Sequence, residues 1–364
     1  MYIKDVEIKN FRNINQIEIK PENGINIIYG ENGQGKTNII EAVWLFTGCK
    51  SFRTSKDKEL IKFGENMSQL DIEFCDSIRE NKAQIQIEKR RNAALNGVEL
   101  SSPRELIGKF YSIVFSPGHL SLVKEGPLNR RRFIDTAISQ IENIYAKKLA
   151  YYNHLVNQKN ALLKNASEDS SLITTFDIWD EKLAQAAAEI IKYRIEYIKK
   201  IEPCVSDIYE GISDKREKLK IKYASNIRYE SENIADIEDN CYKALLANRA
   251  NDLYIKSTSC GPHRDDMEIF INGISARKFG SQGQQRSASL ALKLAEADII
   301  KEEKNEKPVI LLDDVMSELD LGRQNFILHK MSDKQVFITC CEKETVQRLE
   351  KGKVYKIENG QVID

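Results

Sequence analysis

The chain carries no net charge: 55 Lys and Arg balance 55 Asp and Glu among 364 residues. A global basic field is therefore excluded as a route to nucleic acid, and any such contact has to be a local patch. The seven cysteines include no CxxC pair, and the four histidines supply no zinc spacing. An odd cysteine count in a long chain argues against a disulfide framework. No apolar run approaches the roughly 20 residues that span a bilayer. The opening Met1-Tyr2-Ile3-Lys4-Asp5-Val6-Glu7 does not have the pattern of a signal peptide. Tandem repeats and low-complexity tracts are missing too. These absences carry the expectation of a soluble, cytoplasmic protein in a reducing setting, with no membrane partner.

What is present is a large core and much charge. Hydrophobic residues make up 41% and charged residues 30%. The first suffices for two lobes and the second suits long solvated helices. Ile3, Val6, Ile8 and Phe11 are spaced for a strand, and Ile25 to Tyr29 is a short buried one. Asn38 to Phe46 reads as an apolar-rich helix. Asn96-Gly97 and Asn272-Gly273 read as hairpin turns. Tyr111 to Phe115 is a further strand, stopped by Ser116-Pro117-Gly118.

The texture changes after residue 128. A helical stripe runs from Ile134 to Leu163, and a second from Trp179 to Ile201, ended by Pro203. They read as two antiparallel helices of about 30 residues, each about 45 Å long. Both stripes read as helix-packing core, with a partner-binding face as the alternative. Strand texture returns near Leu253. A helix over Ser287 to Glu303 and strands at Val309–Leu312 and Val336–Thr339 follow. Strands alternating with helices indicate an α/β core.

Three segments carry chemistry. Gly30-Glu31-Asn32-Gly33-Gln34-Gly35-Lys36-Thr37 is a complete phosphate-binding loop between a strand and a helix. Its glycines let backbone N–H groups surround phosphates, Lys36 puts charge on the β/γ-phosphates, and Thr37 offers a hydroxyl to Mg²⁺. The alternative, an accidental Gly-rich turn, is disfavoured by that strand–loop–helix setting. Second, Val309 to Leu312 delivers Asp313 and Asp314 at the end of a buried strand. Asp313 suits the metal and Asp314 suits orienting or deprotonating the attacking water. Third, Gly280-Ser281-Gln282-Gly283-Gln284-Gln285-Arg286 opens a helix roughly 30 residues earlier. It resembles the signature of ABC-type ATPases, and Ser317-Glu318-Leu319-Asp320 resembles their D-loop. In that class the signature Ser and Gly meet the γ-phosphate of a nucleotide held by another subunit.

In this order the segments resemble the RecF family of bacterial recombination mediators, related to the SMC-type ATPases. Asn10-Phe11-Arg12-Asn13, the loop from Gly30 to Asn38, Arg130 to Asp135, Gly261-Pro262-His263-Arg264-Asp265-Asp266, Phe279 to Arg286 and Leu311 to Asp320 carry the likeness. They span nearly the whole chain. The resemblance implies an α/β ABC-type P-loop ATPase head, with mixed β-sheets around a central P-loop helix and an inserted helical lobe. The ATPase lobe would be 1–116 and 253–364, with the helical lobe and its short arm at 117–252. It implies ATP and Mg²⁺, with Arg12, Gly30 to Asn38, Ser281, Gly283 and Gln284 at the nucleotide. Thr37 and Asp313 would hold the metal, and Lys36 and Asp314 would act in catalysis. It further implies an ATP-dependent homodimer on double-stranded and gapped DNA, slow DNA-stimulated turnover, and a nucleoid-associated role in recombination, replication and the SOS response. RecR and RecO proteins would be partners in loading RecA recombinase.

Roughly 240 residues separate Thr37 from Ser281. That span makes a short arm and favours a compact clamp over a long coiled coil. Arg130, Arg131 and Arg132 open the first long helix, with Lys147-Lys148 and Lys199-Lys200 beyond. They can contact DNA phosphates, form a solvated basic face, or pair with Glu125 or Asp135. His263 and Arg264 can be structural, nucleotide-linked or DNA-facing. Two departures from the family pattern stand out. Gly118-His119 follows Ser116-Pro117 where acids are expected, and Cys340 follows Ile338-Thr339 where many ABC relatives place a His. A DNA-binding scaffold with negligible turnover and a transporter-type ATPase subunit are the rival readings.

Overall fold

The computed structural model describes residues 1–54, 56–166, 170–341 and 352–363. In chain order, β1 (Tyr2–Phe11), β2 (Ile14–Ile19) and β3 (Ile25–Tyr29) lead into α1 (Lys36–Leu45). Then come β4 (Ser68–Cys75), β5 (Glu80–Ile87), β6 (Arg91–Leu95), β7 (Val98–Glu99) and β8 (Ser112–Phe115). Helices follow: α2 (Pro117–Leu120), α3 (Pro127–Ile141), α4 (Asn143–Asn165) and α5 (Phe176–Ile212). Next are β9 (Leu219–Ala224), α6 (Ile234–Ala247), α7 (Arg249–Ile255), β10 (Asp266–Ile271), β11 (Ile274–Ser275), α8 (Ala276–Phe279) and α9 (Gln282–Lys304). The chain ends with β12 (Val309–Asp313), α10 (Leu321–Lys330), β13 (Val336–Cys340), β14 (Lys353–Glu358) and β15 (Gln361–Ile363).

Contacts divide these elements into two units. The first comprises Met1–Ser121, Gly211–Lys215 and Arg286–Asp364, and the second Leu122–Glu210 and Arg216–Gln285. The stretch 253–285, grouped above with the ATPase lobe, therefore falls in the second unit. The division passes through α9.

Among the described residues, the first unit has two sheets. One is antiparallel, in the order β2-β1-β4-β5-β6-β7, and β5 alternates exposed and buried positions along its whole length. That period of two is the mark of a sheet packed on one face. The other has the order β15-β14-β3-β13-β12-β8, with β14, β3, β13, β12 and β8 parallel. Its central strands β12 and β13 are buried throughout, which is why they read as unbroken apolar runs. α1 touches strands of both sheets. Ile39, Ile40 and Val43 of α1 are fully buried, each contributing about 1.5–3 kcal/mol. Mixed sheets around a central P-loop helix are thus what this unit is. Both Asn-Gly pairs form hairpins with positive φ at the two central residues, joining β6 to β7 and β10 to β11.

The second unit holds α3 to α7 and the three-stranded sheet β11-β10-β9. Three features differ from the sequence expectations. The stripe over 134–163 is two helices, broken at Glu142, whose backbone is extended (φ −126°, ψ 90°). Tyr145 donates to Asp135 at 2.5 Å, tying the first turn of α4 back onto α3. Pro203 does not end its helix: α5 runs 37 residues to Ile212. Burial of Val205, Ile208 and Tyr209 holds the turns beyond it, offsetting the missing N–H. Finally, residues 249–255 are helix, and the strand texture belongs to β9 and β10 on either side. The ion pairs Lys148–Glu189 and Lys159–Asp180 run in opposite chain directions, as antiparallel helices α4 and α5 require.

Candidate functional site

Three adjacent parallel strands, β3, β13 and β12, end at one edge of their sheet. Their C-terminal ends carry the glycine-rich loop, the two cysteines and the two acids. This is where an open α/β sheet presents ligands. Gly30 leaves β3 so close to the neighbouring backbone that a Cβ would stand 2.3 Å from the Ile357 carbonyl oxygen. Gly35 has φ +111°, a conformation L side chains rarely adopt. Asn13 steadies the turn, donating to the Gly33 carbonyl at 2.8 Å and accepting from Asn38 at 2.7 Å. Gln34 is held by Asn359 N–H, at 2.5 Å from its Oε1. Glu31 is exposed.

Lys36 is 3% exposed, and its ammonium lies inside the loop. It donates to the carbonyls of Gly30 (2.8 Å) and Glu31 (2.9 Å) and to Cys341 Sγ (3.1 Å). Thr37 donates to Asp313 Oδ1 at 2.7 Å, and Thr339 donates to the same oxygen at 3.1 Å. Burial holds the Asp313 carboxyl above its ordinary value; the hydrogen bonds from Thr37 and Thr339 oppose this, and the Asp314 charge adds to it. Asp314 follows with φ +51°, its N–H donated to Thr339 Oγ1 at 2.8 Å. Lys36, Thr37, Asn38, Asn32, Gly33, Gly35 and Asp314 line one cleft of about 760 Å³. The cleft is large enough for a nucleotide.

The residue that stands beside the loop from β13 is Cys341, not Cys340. Cys340 is the buried last residue of the strand, whereas Cys341 is exposed and also lies 3.0 Å from Asn32 Oδ1. Arg12 lines the cleft but is committed elsewhere. It holds the buried Glu41 carboxylate at both oxygens (3.0 and 2.8 Å) and the Glu59 carbonyl at 2.8 Å. Arg53, which sequence reasoning passed over, lines the same cleft and contacts Asn38 Oδ1 (2.6 Å) and Glu41 (3.1 Å). Its only local signal is its place after the polar break that ends α1.

Ser281, Gly283 and Gln284 belong to the second unit. Ser281 and Gln284 cap the start of α9 reciprocally: Ser281 N–H donates to Gln284 Oε1 (2.8 Å) and Gln284 N–H to Ser281 Oγ (3.2 Å). Gln284 also donates to Glu217 at 2.6 Å. Asp320, in the D-loop-like segment, caps α10 by accepting from Arg323 N–H at 3.0 Å.

The Arg130 expectation is corrected. Its side chain is 2% exposed. It grips Asp266 with Nε (2.7 Å) and Nη2 (2.8 Å), while Nη1 reaches the carbonyls of Leu122, Val123 and Glu125. A guanidinium so enclosed is out of reach of a phosphate. Arg131 is part-buried and donates to the Asp265 carbonyl at 2.6 Å. Arg132 is exposed. The arginine run and the Gly261–Asp266 run are therefore mates. Replacing Arg130 with Ala strands a carboxylate that is itself part-exposed, and the expected cost is about 3 kcal/mol. A fall in melting temperature with an unchanged salt dependence of DNA affinity is the expected pair of results. A flattened salt dependence would return Arg130 to a DNA role.

The rest of that run is also internal bracing. The Pro262 carbonyl accepts from Arg194 at 2.6 Å, and Arg194 holds Asp135 at both oxygens. His263 lies between Tyr152 Oη (2.5 Å) and the Thr258 carbonyl (3.1 Å). Arg264 donates to the same Thr258 carbonyl at 3.2 Å. Burial lowers His263 to about 4, and lowers His119, which pairs with Ser116 Oγ at 2.9 Å, to about 3. Both imidazoles are neutral in the fold, whereas in the unfolded chain each takes a proton near 6.5. Their contribution is complete above about pH 6.5 and is lost as pH falls toward those lower values. Each excess proton corresponds to about 1.4 kcal/mol per pH unit. In melting curves between pH 6.5 and 4.5, His263→Gln should flatten the pH slope by about one proton. An unchanged slope would mean that His263 is protonated in the fold.

The family model described as RecF/RecN/SMC N terminal domain matches residues 2–363. The DNA replication and repair protein RecF of Agathobacter rectalis is 40% identical over 368 residues, covering 100% of this chain and 99% of the relative. That of Clostridium tetani is 38% identical, with 100% of both covered. Among solved structures, the recombination mediator protein RecF with ATP, of the RecFOR pathway, superposes with a TM-score of 0.91 at 39% identity, covering 100% of this chain and 97% of the other. An SMC head bound to the C-winged helix domain of ScpA gives a TM-score of 0.58 at 18% identity, over 100% and 97%, and shares the fold.

Proposed function

This chain belongs to the RecF family of DNA replication and repair proteins, and on that premise we propose that it is an ATP-driven clamp that closes as a homodimer on DNA. The convergence of Lys36, Thr37, Asp313 and Asp314 at one edge of the parallel sheet carries this reading. The γ-phosphate of ATP would take the Lys36 ammonium, which now rests on two loop carbonyls. Thr37 Oγ1 and Asp313 Oδ1, a hydroxyl and a carboxylate 2.7 Å apart, fit the oxygen preference of Mg²⁺. Such an ion, when bound, neutralises charge building on the β- and γ-phosphates. It would also favour the ionised form of a carboxyl that burial now disfavours. Asp314, on the cleft wall, orients the attacking water and accepts its proton.

Ser281 and Gly283, with Gln284, would cap the γ-phosphate held by the other subunit, through the N-terminal N–H groups of α9. ATP then binds more tightly to the state in which both surfaces touch it than to the open subunit, so hydrolysis shifts the population toward the open form. Double-stranded and gapped DNA is the proposed ligand, with Arg132 and the part-buried Arg131 contributing phosphate contacts. RecR and RecO proteins, and RecA indirectly, are the proposed partners, and slow DNA-stimulated turnover the proposed activity. Sedimentation with ATP, ADP or no nucleotide, with and without duplex, tests the core of this. Dimers are expected with ATP alone and should be favoured further by duplex. A sedimentation coefficient indifferent to nucleotide would reject the clamp.

A further inference from the structure

The sheet β11-β10-β9 buries one face through Leu219, Ile221, Tyr223, Met267, Ile269 and Ile271. Its other face is open and basic. Lys218, immediately before β9, and Lys220 and Lys222 within it are all exposed, at alternate positions of the chain. A strand rises about 3.3 Å per residue, so the three ammonium stems spread over about 13 Å on one face. Phe270 and Ser275 lie in line with Lys220 across the sheet; of the acids on that face, Glu268 is opposite Lys222, and Asp266, opposite Ala224, is engaged by Arg130. Glu217, beside Lys218, is already engaged by Tyr209 and Gln284.

Lysines on an edge strand do guard against strand pairing. Charge of either sign serves that purpose, and pairs of opposite sign serve it without self-repulsion. The other exposed sheet of this chain follows that economy. There Lys4 pairs with Glu80, Lys9 with Glu7, Lys20 with Glu18 and Lys82 with Glu73. Among the described residues, none of Lys218, Lys220 and Lys222 is in an ion pair. Three like charges at successive same-face positions repel one another, and Glu268, opposite Lys222, is the acid in cross-strand register with the row. The complement to such a row is a polyanion with regular charge spacing, and duplex DNA carries one charge per about 1.7 Å of its axis.

We propose that Lys218, Lys220 and Lys222 form a track for the phosphate backbone of duplex DNA. The proposal rests on the DNA-clamp reading and adds a surface to it. The test compares the intact protein with the triple variant Lys218→Gln/Lys220→Gln/Lys222→Gln and with the triple Lys→Arg variant, titrating a blunt duplex with ATP from 50 to 200 mM salt. Each lost phosphate contact reduces the slope of log affinity against log salt by about 0.9. The Gln variant is expected to lose roughly two to three units of slope while keeping its ATP-dependent dimerisation. The Arg variant is expected to keep the slope. A Gln variant with the wild-type slope overturns the proposal. So does a slope lost equally in the Arg variant, which would trace the effect to the strand rather than to charge. Poly-glutamate displacing duplex from the wild type but not from the Gln variant supports an electrostatic track; poly-glutamate binding to this face with duplex binding unaltered reassigns it to an acidic protein and overturns it. A wild type that binds no duplex at any salt contradicts the clamp reading itself, a result distinct from all of these.

Discussion

Lys36→Met is expected to weaken ATP binding by at least about 100-fold and to abolish ATP-dependent dimers. The side chain is 3% exposed and sits within the loop, where its ammonium is held by the Gly30 and Glu31 carbonyls and Cys341 Sγ. Those contacts position the charge before nucleotide arrives. Hydrogen bonds to charged groups contribute about 1.5–3 kcal/mol each. Losing two of them at the phosphates already corresponds to about two or more orders of magnitude in affinity. Met keeps much of the aliphatic stem, so the loop's packing is largely retained. Calorimetric titration with ATP and sedimentation in its presence check the two halves of this result. Dimers that persist with ATP would show that the loop does not trigger association.

Ser281→Arg is expected to separate nucleotide binding from dimerisation. Ser281 is exposed, so a larger side chain fits in solvent without disturbing the core. The substitution removes one hydroxyl cap from α9, worth about 1 kcal/mol. It also places a bulky side chain where a neighbour's phosphate would meet the helix terminus. The variant should bind ATP as a monomer yet neither dimerise nor hydrolyse. Mixing it with Lys36→Met should restore one working site per heterodimer, because the intact loop of one subunit meets the intact signature of the other. Neither variant alone has both halves, so the regained phosphate release is the readout. A wild type that is monomeric with full ATPase would reject the shared site. A dimeric wild type whose variant mixture stays inactive would show that turnover requires both sites at once.

The phosphate-binding loop, the paired acids and the two Asn-Gly hairpins were legible because each depends on near neighbours. Glycine at +111° or beside a crowding carbonyl is a local demand of the backbone. An Asn-Gly pair selects its turn within four residues. The buried runs Val309–Leu312 and Val336–Thr339 read as strands because both faces of a parallel sheet are covered. The break at Glu142 was not legible, since the apolar stripe continues through it. It is fixed by the side-chain contacts of Asp135, Tyr145 and Arg194. Pro203 misled for a related reason: a proline's local cost is set against burial contributed from elsewhere.

By itself, then, the sequence determined a glycine-rich loop between a strand and a helix, a buried strand ending in two acids, and an ABC-type order of motifs. Tertiary structure alone decided what the long side chains touch. Arg130 meets Asp266 from 136 positions away, and Tyr152 meets His263 from 111. Those pairings turned a basic run into a brace and left an inconspicuous strand, Lys218 to Lys222, as the open basic face. The register of β13 against β3 put Cys341 rather than Cys340 beside Lys36. The reason is physical: local backbone geometry is encoded by adjacent residues, whereas a charge acquires its role from whichever partner the fold brings within hydrogen-bond reach.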